Sequence, residues 1–360
     1  MEQPMKRELR IERIQDLLIK MGLDGCVLKG MDNIFYLTGF KGSEGMLFVT
    51  RGDVVLIVDF RYITHAREVT NGIHIYEIKP GNDALHTLCT RYNVSKLGFD
   101  GAYIPYNTYK TWSENLPGTS LVPMNSAIDE IRKNKEPEET AAIIDAISIA
   151  TAAFTDIIGL IKPGETEKNI ADELDYRMRK RGAHGPSFDT IVASGPRAAL
   201  PHAEPTTRKL QDGETVIIDF GAIVSGYCSD ETVTLCLGDI PDKMTDIFTI
   251  VNDARKLGIE KAVSGTPIKQ LDSMVRGYIE DKGYGDYFRH GVGHGVGIAV
   301  HEAPAVNSAA QGILEENMVI TIEPGIYLPN IGGVRLEDMI LITGDTPRIL
   351  TQIRKDMIKI

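Results

Sequence analysis

Four carboxylates in this 360-residue chain sit where apolar patterning should exclude them. Asp219 lies inside ETVIIDFG (214–221), and Asp230 follows eleven residues later, across what reads as a hairpin. Glu323 closes VITIE (319–323), and Glu337 lies in VRLED (334–338) on one face with Arg335. Two-residue periodicity places Asp219 beside Ile217, and Asp230 on a face with Thr232 and Thr234. A single aspartate of this kind reads most simply as a strand end at the solvent edge. Four of them demand more, because a buried carboxylate is costly unless it is paired or binds a cation. Sharing one pocket as bare anions, they would raise one another's pKa steeply. Divalent cations resolve that repulsion, and carboxylates suit Mn, Co, Fe or Zn.

Residues 290–302, HGVGHGVGIAVHE, put three histidines among four glycines and end on a glutamate. A phosphate-cradling G-x-G-x-x-G loop would need glycine at 296, 298 or 300. Those positions are Val296, Ile298 and Val300, so that reading fails. One imidazole added to four carboxylates makes a mixed nitrogen and oxygen set. Two metals roughly 3.5–4 Å apart, bridged by shared carboxylates, need about this many ligands.

The elements that must carry these residues fall into two groups. In the first third, a helical stripe over 6–21 precedes short apolar runs at 26–28, 46–49, 54–58 and 96–99, expected to be strands of a small mixed sheet. Charges crowd into 125–137 and Pro137 opens a long apolar helix, with a second helix capped by Thr166. After 186, strands and glycine turns dominate, with one helical stretch near 246–263. The fold class expected is α+β: a smaller α/β domain over 1–127 and a larger α+β domain over 128–360.

Composition narrows the partners. A net charge of −11 offers no basic surplus for nucleic acid. The N-terminal stretch has no apolar core of a signal peptide, and no run of 18 apolar residues predicts a membrane span. Four scattered cysteines form no C-x-x-C pair, which removes structural zinc and redox motifs and predicts reduced thiols in a cytoplasm.

In order, type and surroundings, Asp219-Phe220-Gly221, Asp230, His294 in GHGVG, Glu323-Pro324-Gly325 and Glu337-Asp338 resemble the five-ligand signature of the pita-bread metallopeptidases. PSFDTIVASGPRAALPHAEP (186–205) and YLTGF (36–40) are similar to the aminopeptidase P and prolidase branch, with a creatinase-like N-terminal domain. The resemblance spans essentially the whole chain. It implies a homodimer hydrolysing the bond before proline in peptides, with two divalent metals and a bridging hydroxide as nucleophile. Asp219 would chelate one metal, Asp230 and Glu337 would bridge both, and His294 and Glu323 would complete the second. Glu323 would also shuttle protons. His202 and His301 resemble the histidines that stabilise the tetrahedral intermediate and leaving nitrogen. His290 would line the proline subsite, with Phe188 and Val300 as its apolar wall. Arg335 would hold nearby carboxylates or the substrate terminus, and Thr232 would support the ligands. His65, His74, His86 and His184 read as surface or loop residues.

Two positions depart from the pattern. Val233 stands where many members carry arginine, and Ala305 replaces an arginine that in several dipeptidases holds the dipeptide carboxylate. Losing that charge-assisted clamp tilts the expectation towards peptides longer than Xaa-Pro. A methionine aminopeptidase shares the centre but usually lacks so large an N-terminal domain. Creatinase shares the build without the complete metal set. A non-catalytic peptide-binding homologue is the reading from another class, and the intact ligands with His202 and His301 oppose it.

Overall fold

A computed structural model describes residues 3–81, 83–125 and 127–360, with the side chains of 3–6 excepted. The chain divides into two compact units, one up to Ile131 and one from Arg132 to Ile360.

In the first unit the sheet order is His74–Glu77, Val54–Val58, Met46–Thr50, Gly25–Leu28, Lys96–Phe99, Ser120–Pro123. Met46–Thr50 runs antiparallel to both neighbours and the other pairs are parallel. Parallel neighbours need crossover connections. Helices Ile63–Val69 and Tyr106–Asn115 supply two of them. All four strands expected from apolar runs are present. His74–Glu77 and Ser120–Pro123 were not anticipated, since neither is a continuous apolar run. Val27, Phe48, Ile57, Leu88, Leu97 and Trp112 share its core.

The second unit is built twice over on one plan, a pair of helices covering a mainly antiparallel sheet. Helix Pro137–Ile157 starts with proline in its first turn and a reciprocal Glu136/Glu139 capping box. Helix Glu167–Lys180 starts at Thr166, whose hydroxyl accepts from the Asn169 amide. Together they bury Ala150, Phe154, Ile170 and Leu174 against strands Ile191–Ser194, Thr215–Phe220 and Glu231–Cys236. In the second half, helices Asp242–Lys261 and Ile268–Asp281 cover the sheet that contains Gly293–Gly295, Val319–Ile322 and Asp338–Leu341. Only the first of these two helices was expected. The second starts after Pro267 and buries Ile268, Leu271, Val275 and Ile279 at helical spacing.

Two further expectations need correction. Helix Pro137–Ile157 with its following turn, through Leu160, is long and apolar enough to cross a membrane by length and composition alone. Nine of its residues are nevertheless buried in the protein, several of them in the core under the first sheet. And VRLED is not one strand. Gly332–Arg335 pairs with Gly325–Leu328, while Asp338–Leu341 joins a different sheet, so Leu336 and Glu337 form the corner between them.

Candidate metal centre

The five expected ligands come from both halves of the second unit. Asp219 sits near the end of Thr215–Phe220, which pairs with Glu231–Cys236 in a register that sets Thr232 opposite Asp219. Between these strands the chain makes a small hairpin whose turn residues, Ser225 and Gly226, both have positive φ. Such φ values suit a tight two-residue turn. Its return delivers Asp230 immediately before the strand. From the other half come His294, in the short strand Gly293–Gly295, then Glu323 just past Val319–Ile322, and Glu337 at its corner. A backbone bond from Glu337 N to Thr232 O (3.2 Å) joins the halves at this point, and Glu323 N donates to Val292 O (2.8 Å).

Asp230, His294 and Glu337 each offer a ligand atom, and the three lie within 4.8 Å of one another. His294 Nε2 is 3.6 Å from Asp230 Oδ2 and 3.4 Å from Glu323 Oε1. Its Nδ1 is 3.1 Å from Gly295 O, so Nδ1 carries the proton and Nε2 presents a lone pair to the carboxylates. Thr232 Oγ1 donates to Glu337 Oε2 at 2.7 Å. Arg335 Nη2 donates to Asp219 Oδ2 at 2.6 Å, while Asp219 Oδ1 is buried with no hydrogen-bond partner among the described residues.

The electrostatics match a cation site. Burial, then Glu337 and Asp219, push the Asp230 carboxyl well above its ordinary range. Burial, then Glu323 and Asp219, do the same to Glu337. Glu323 is pushed up to about 8, mainly by burial and against the pull of Arg335. Burial and the neighbouring His301 bring His294 down to about 4, so it is neutral near pH 7. Crowded buried carboxylates, an orphaned buried carboxylate oxygen and a neutral imidazole are the donor set that hard or borderline divalent cations fit.

These residues line a cavity of about 560 Å³, together with Phe188, His202, His290, His301, Tyr327 and Arg335. His202 and His301 are solvent-exposed within it, and the His301 ring stands edge-on to His294 at 4.3 Å. Val300, expected in the apolar wall, is not among the lining residues. It follows the turn that Gly297 N closes on Ala299 O, and the next residue, His301, is the one that lines the cavity. His65, His74, His86 and His184 are all exposed and lie outside the cavity.

Tyr327 was missed in the sequence, although period two puts it on the face of Glu323 and Gly325. It completes a hydrogen-bond chain. Burial holds His290 down to about 4, so the ring is neutral. Its Nδ1 is 2.8 Å from Gly291 O and must donate there. Nε2 therefore accepts from the Tyr327 hydroxyl at 2.9 Å, and that hydroxyl accepts from Arg335 Nη1 at 3.0 Å. Arg335 also donates to Thr232 Oγ1 and Pro201 O. Of its two expected uses, the geometry supports holding carboxylates.

Known families carry the same build. Residues 141–344 match the family model for metallopeptidase family M24, and residues 10–133 match that for the creatinase/prolidase N-terminal domain. This chain belongs to metallopeptidase family M24. The M24 protein is 35% identical to an Xaa-Pro dipeptidase of Pyrococcus horikoshii over 350 residues, 97% of this chain and 98% of that one. Among solved structures it is similar to an Xaa-Pro dipeptidase from Bacillus anthracis, with a TM-score of 0.95 and 35% identity over 98% of this chain and 100% of that one. An X-Pro aminopeptidase from Thermotoga maritima gives a TM-score of 0.91 and 32% identity over 97% and 99%. Membership in the M24 family implies divalent metal at the centre described above.

Proposed function

We propose that this M24 protein cleaves the peptide bond between an N-terminal residue and a following proline, using two divalent metal ions. The observation that carries this is the convergence of Asp230, His294 and Glu337 on the floor of a cavity that also exposes His202 and His301. The Xaa-Pro names of relatives similar over nearly the full chain support it.

Asp219, Asp230, His294, Glu323 and Glu337 are the residues that would hold the metals, drawn from Mn, Co, Zn or Fe. When bound, the metals supply charge that polarises the scissile carbonyl and acidifies water. The protein's own groups do the rest. Glu323, whose carboxylate stands 3.4 Å from His294 Nε2 on the cavity wall, is placed to take a proton and return it to the departing nitrogen. That return matters before proline, because the ring nitrogen of an Xaa-Pro bond carries no hydrogen of its own. His202 and His301 donate to the oxygen and nitrogen on which charge develops. His290, locked by Gly291 and Tyr327, forms with Phe188 the wall against which the proline ring packs.

Ala305 pairs with His294 across the strands and brings no charge to the site. On that ground the preferred substrates are Xaa-Pro peptides that continue beyond proline. A homodimer in a reducing cytoplasm belongs to the same proposal, supported for the compartment by four buried free thiols. The test is hydrolysis of Xaa-Pro dipeptides and Xaa-Pro-Yaa tripeptides after loading with Mn, Co, Zn or Fe. Absence of turnover with every metal, in protein that retains none, would overturn it.

A further inference from the structure

Behind the ligands lies a second set of charges that faces away from the cavity. Asp230 is followed by Glu231, and Glu337 by Asp338. Adjacent residues in extended chain point to opposite sides. Glu231 and Asp338 are 1% and 2% exposed, and neither lines the cavity. Two buried cations meet them. Lys355 Nζ pairs with Glu231 Oε1 and lies 3.9 Å from Asp338 Oδ1. Arg255 pairs with Asp338 Oδ2 and is steadied by Asn252 Oδ1. Thr351 Oγ1 donates to Asp338 Oδ1 at 2.5 Å, and Ile353 N donates to Glu231 Oε1 at 3.3 Å.

Lys355, Thr351 and Ile353 all belong to residues 350–360, a segment that crosses from one half to the other. At one end Leu350 N donates to Met339 O in the second sheet. At the other, Ile358–Lys359 runs parallel to Leu235-Cys236 in the first. The two strands that present Asp230 and Glu337 lie in different sheets. Lys355 reaches the neighbour of each. We propose that Lys355 is a positioning residue that sets the separation of the Asp230 and Glu337 carboxylates, and so the affinity of the centre for its metals. The inference rests on the two-metal reading above.

Its burial makes the tether stiff. An ammonium enclosed with two carboxylates has no water to replace either partner, so losing it leaves an uncompensated anion that must move or protonate. Partners that orient metal ligands from behind typically account for 10–100-fold in metal affinity. Lys355→Met removes the tether and one charge. Lys355→Met with Glu231→Gln removes the tether but leaves the remaining Asp338–Arg255 pair neutral. Titration calorimetry with Mn²⁺ on metal-free protein, alongside circular dichroism and thermal melts, separates geometry from stability. EPR of the Mn²⁺-loaded forms reads the coupling between the two ions. The expected result is Mn²⁺ binding weakened by ~10-fold or more in the charge-balanced double variant, with altered coupling, an unchanged fold and recovery in Lys355→Arg. If the double variant is folded and binds Mn²⁺ as the parent does, with the same coupling, the inference is overturned whatever its melting temperature. Lack of Mn²⁺ binding by the parent protein would instead sink the two-metal reading itself.

Discussion

Arg335 Nη2 holds Asp219 Oδ2 at 2.6 Å while the second oxygen of that carboxylate stays buried with no hydrogen-bond partner among the described residues. One oxygen is fixed from behind and the other is left for a cation. Replacing Arg335 by glutamine strands the carboxylate inside the protein, and breaking a buried pair in this way costs about 3–5 kcal/mol. The expected outcome is a lower melting temperature in the metal-free protein and metal binding weakened by ~10–100-fold. Calorimetric titration and scanning calorimetry check both. Parental metal affinity in Arg335→Gln would show that Asp219 needs no such orientation.

Tyr327→Phe tests the chain from Arg335 to His290. It deletes one hydroxyl, leaves the ring and unpairs His290 Nε2. An acceptor left unmade costs about 1–3 kcal/mol when fully buried, and the half-buried His290 ring falls at the low end of that range. We expect kcat/KM on Xaa-Pro-Yaa peptides to fall by ~10-fold or more, with metal content unchanged. An equal loss on peptides lacking proline would argue against a role for His290 at the proline ring.

Metal binding should strengthen as pH rises. In the metal-free protein the Glu323 carboxyl is raised from 4.5 to about 8, and Asp230 and Glu337 are raised as well. The folded state therefore holds protons that the unfolded chain has released. The stability these protons contribute is complete below about 4.5 and is lost as pH climbs through about 8. A cation must displace the same protons, so affinity grows over that window while the metal-free protein weakens. Titrations in buffers of different ionisation enthalpy count the protons released. A dissociation constant that does not change between pH 6 and 8 contradicts the assignment.

Glu167→Ala should disable His202 without touching it. Glu167 is fully buried, and its carboxylate accepts from Ser194 N and Oγ, Arg197 Nε, and Thr206 N and Oγ1. Those donors stand at both ends of the loop that carries His202. Removing the acceptor leaves several buried donors unmade, at about 1–3 kcal/mol each at most. Activity is expected to fall by at least the ~10²–10³-fold that loss of a transition-state donor brings. The same kinetics in Glu167→Ala and the parent would detach the loop from this anchor.

His301→Ala removes a donor outright, and kcat should drop by ~10²–10³-fold with KM little changed. Asp230→Ala should abolish activity along with metal retention, read by elemental analysis of the purified protein.

The sequence exposed the proposed ligands because each breaks a local rule. Asp219 and Glu323 stand in or beside strands otherwise made of Val, Ile and Thr, and no packing argument accounts for a carboxylate there. Tyr327 breaks no rule, since tyrosine is ordinary in a strand, and so its part in the site stayed hidden. Glu337 lies beside Asp230 and His294 although its run was misread, because a five-residue window cannot show that the chain changes sheets at Leu336. Val233 was flagged as a missing arginine. It packs in the apolar cluster beneath the first sheet, where its neighbours are Val192, Ile218 and Leu235. The pairing of Glu231 with Lys355 spans 124 residues, beyond the reach of any local pattern.

The proposed ligands are shared unequally, Asp219 and Asp230 from one half and His294, Glu323 and Glu337 from the other. Cutting the chain in the connection at 237–241 would give two pieces, neither of them owning a coordination sphere. Such pieces would meet through the 350–360 segment and the buried Glu231–Lys355 pair, and only the reassembled pair would hold metal.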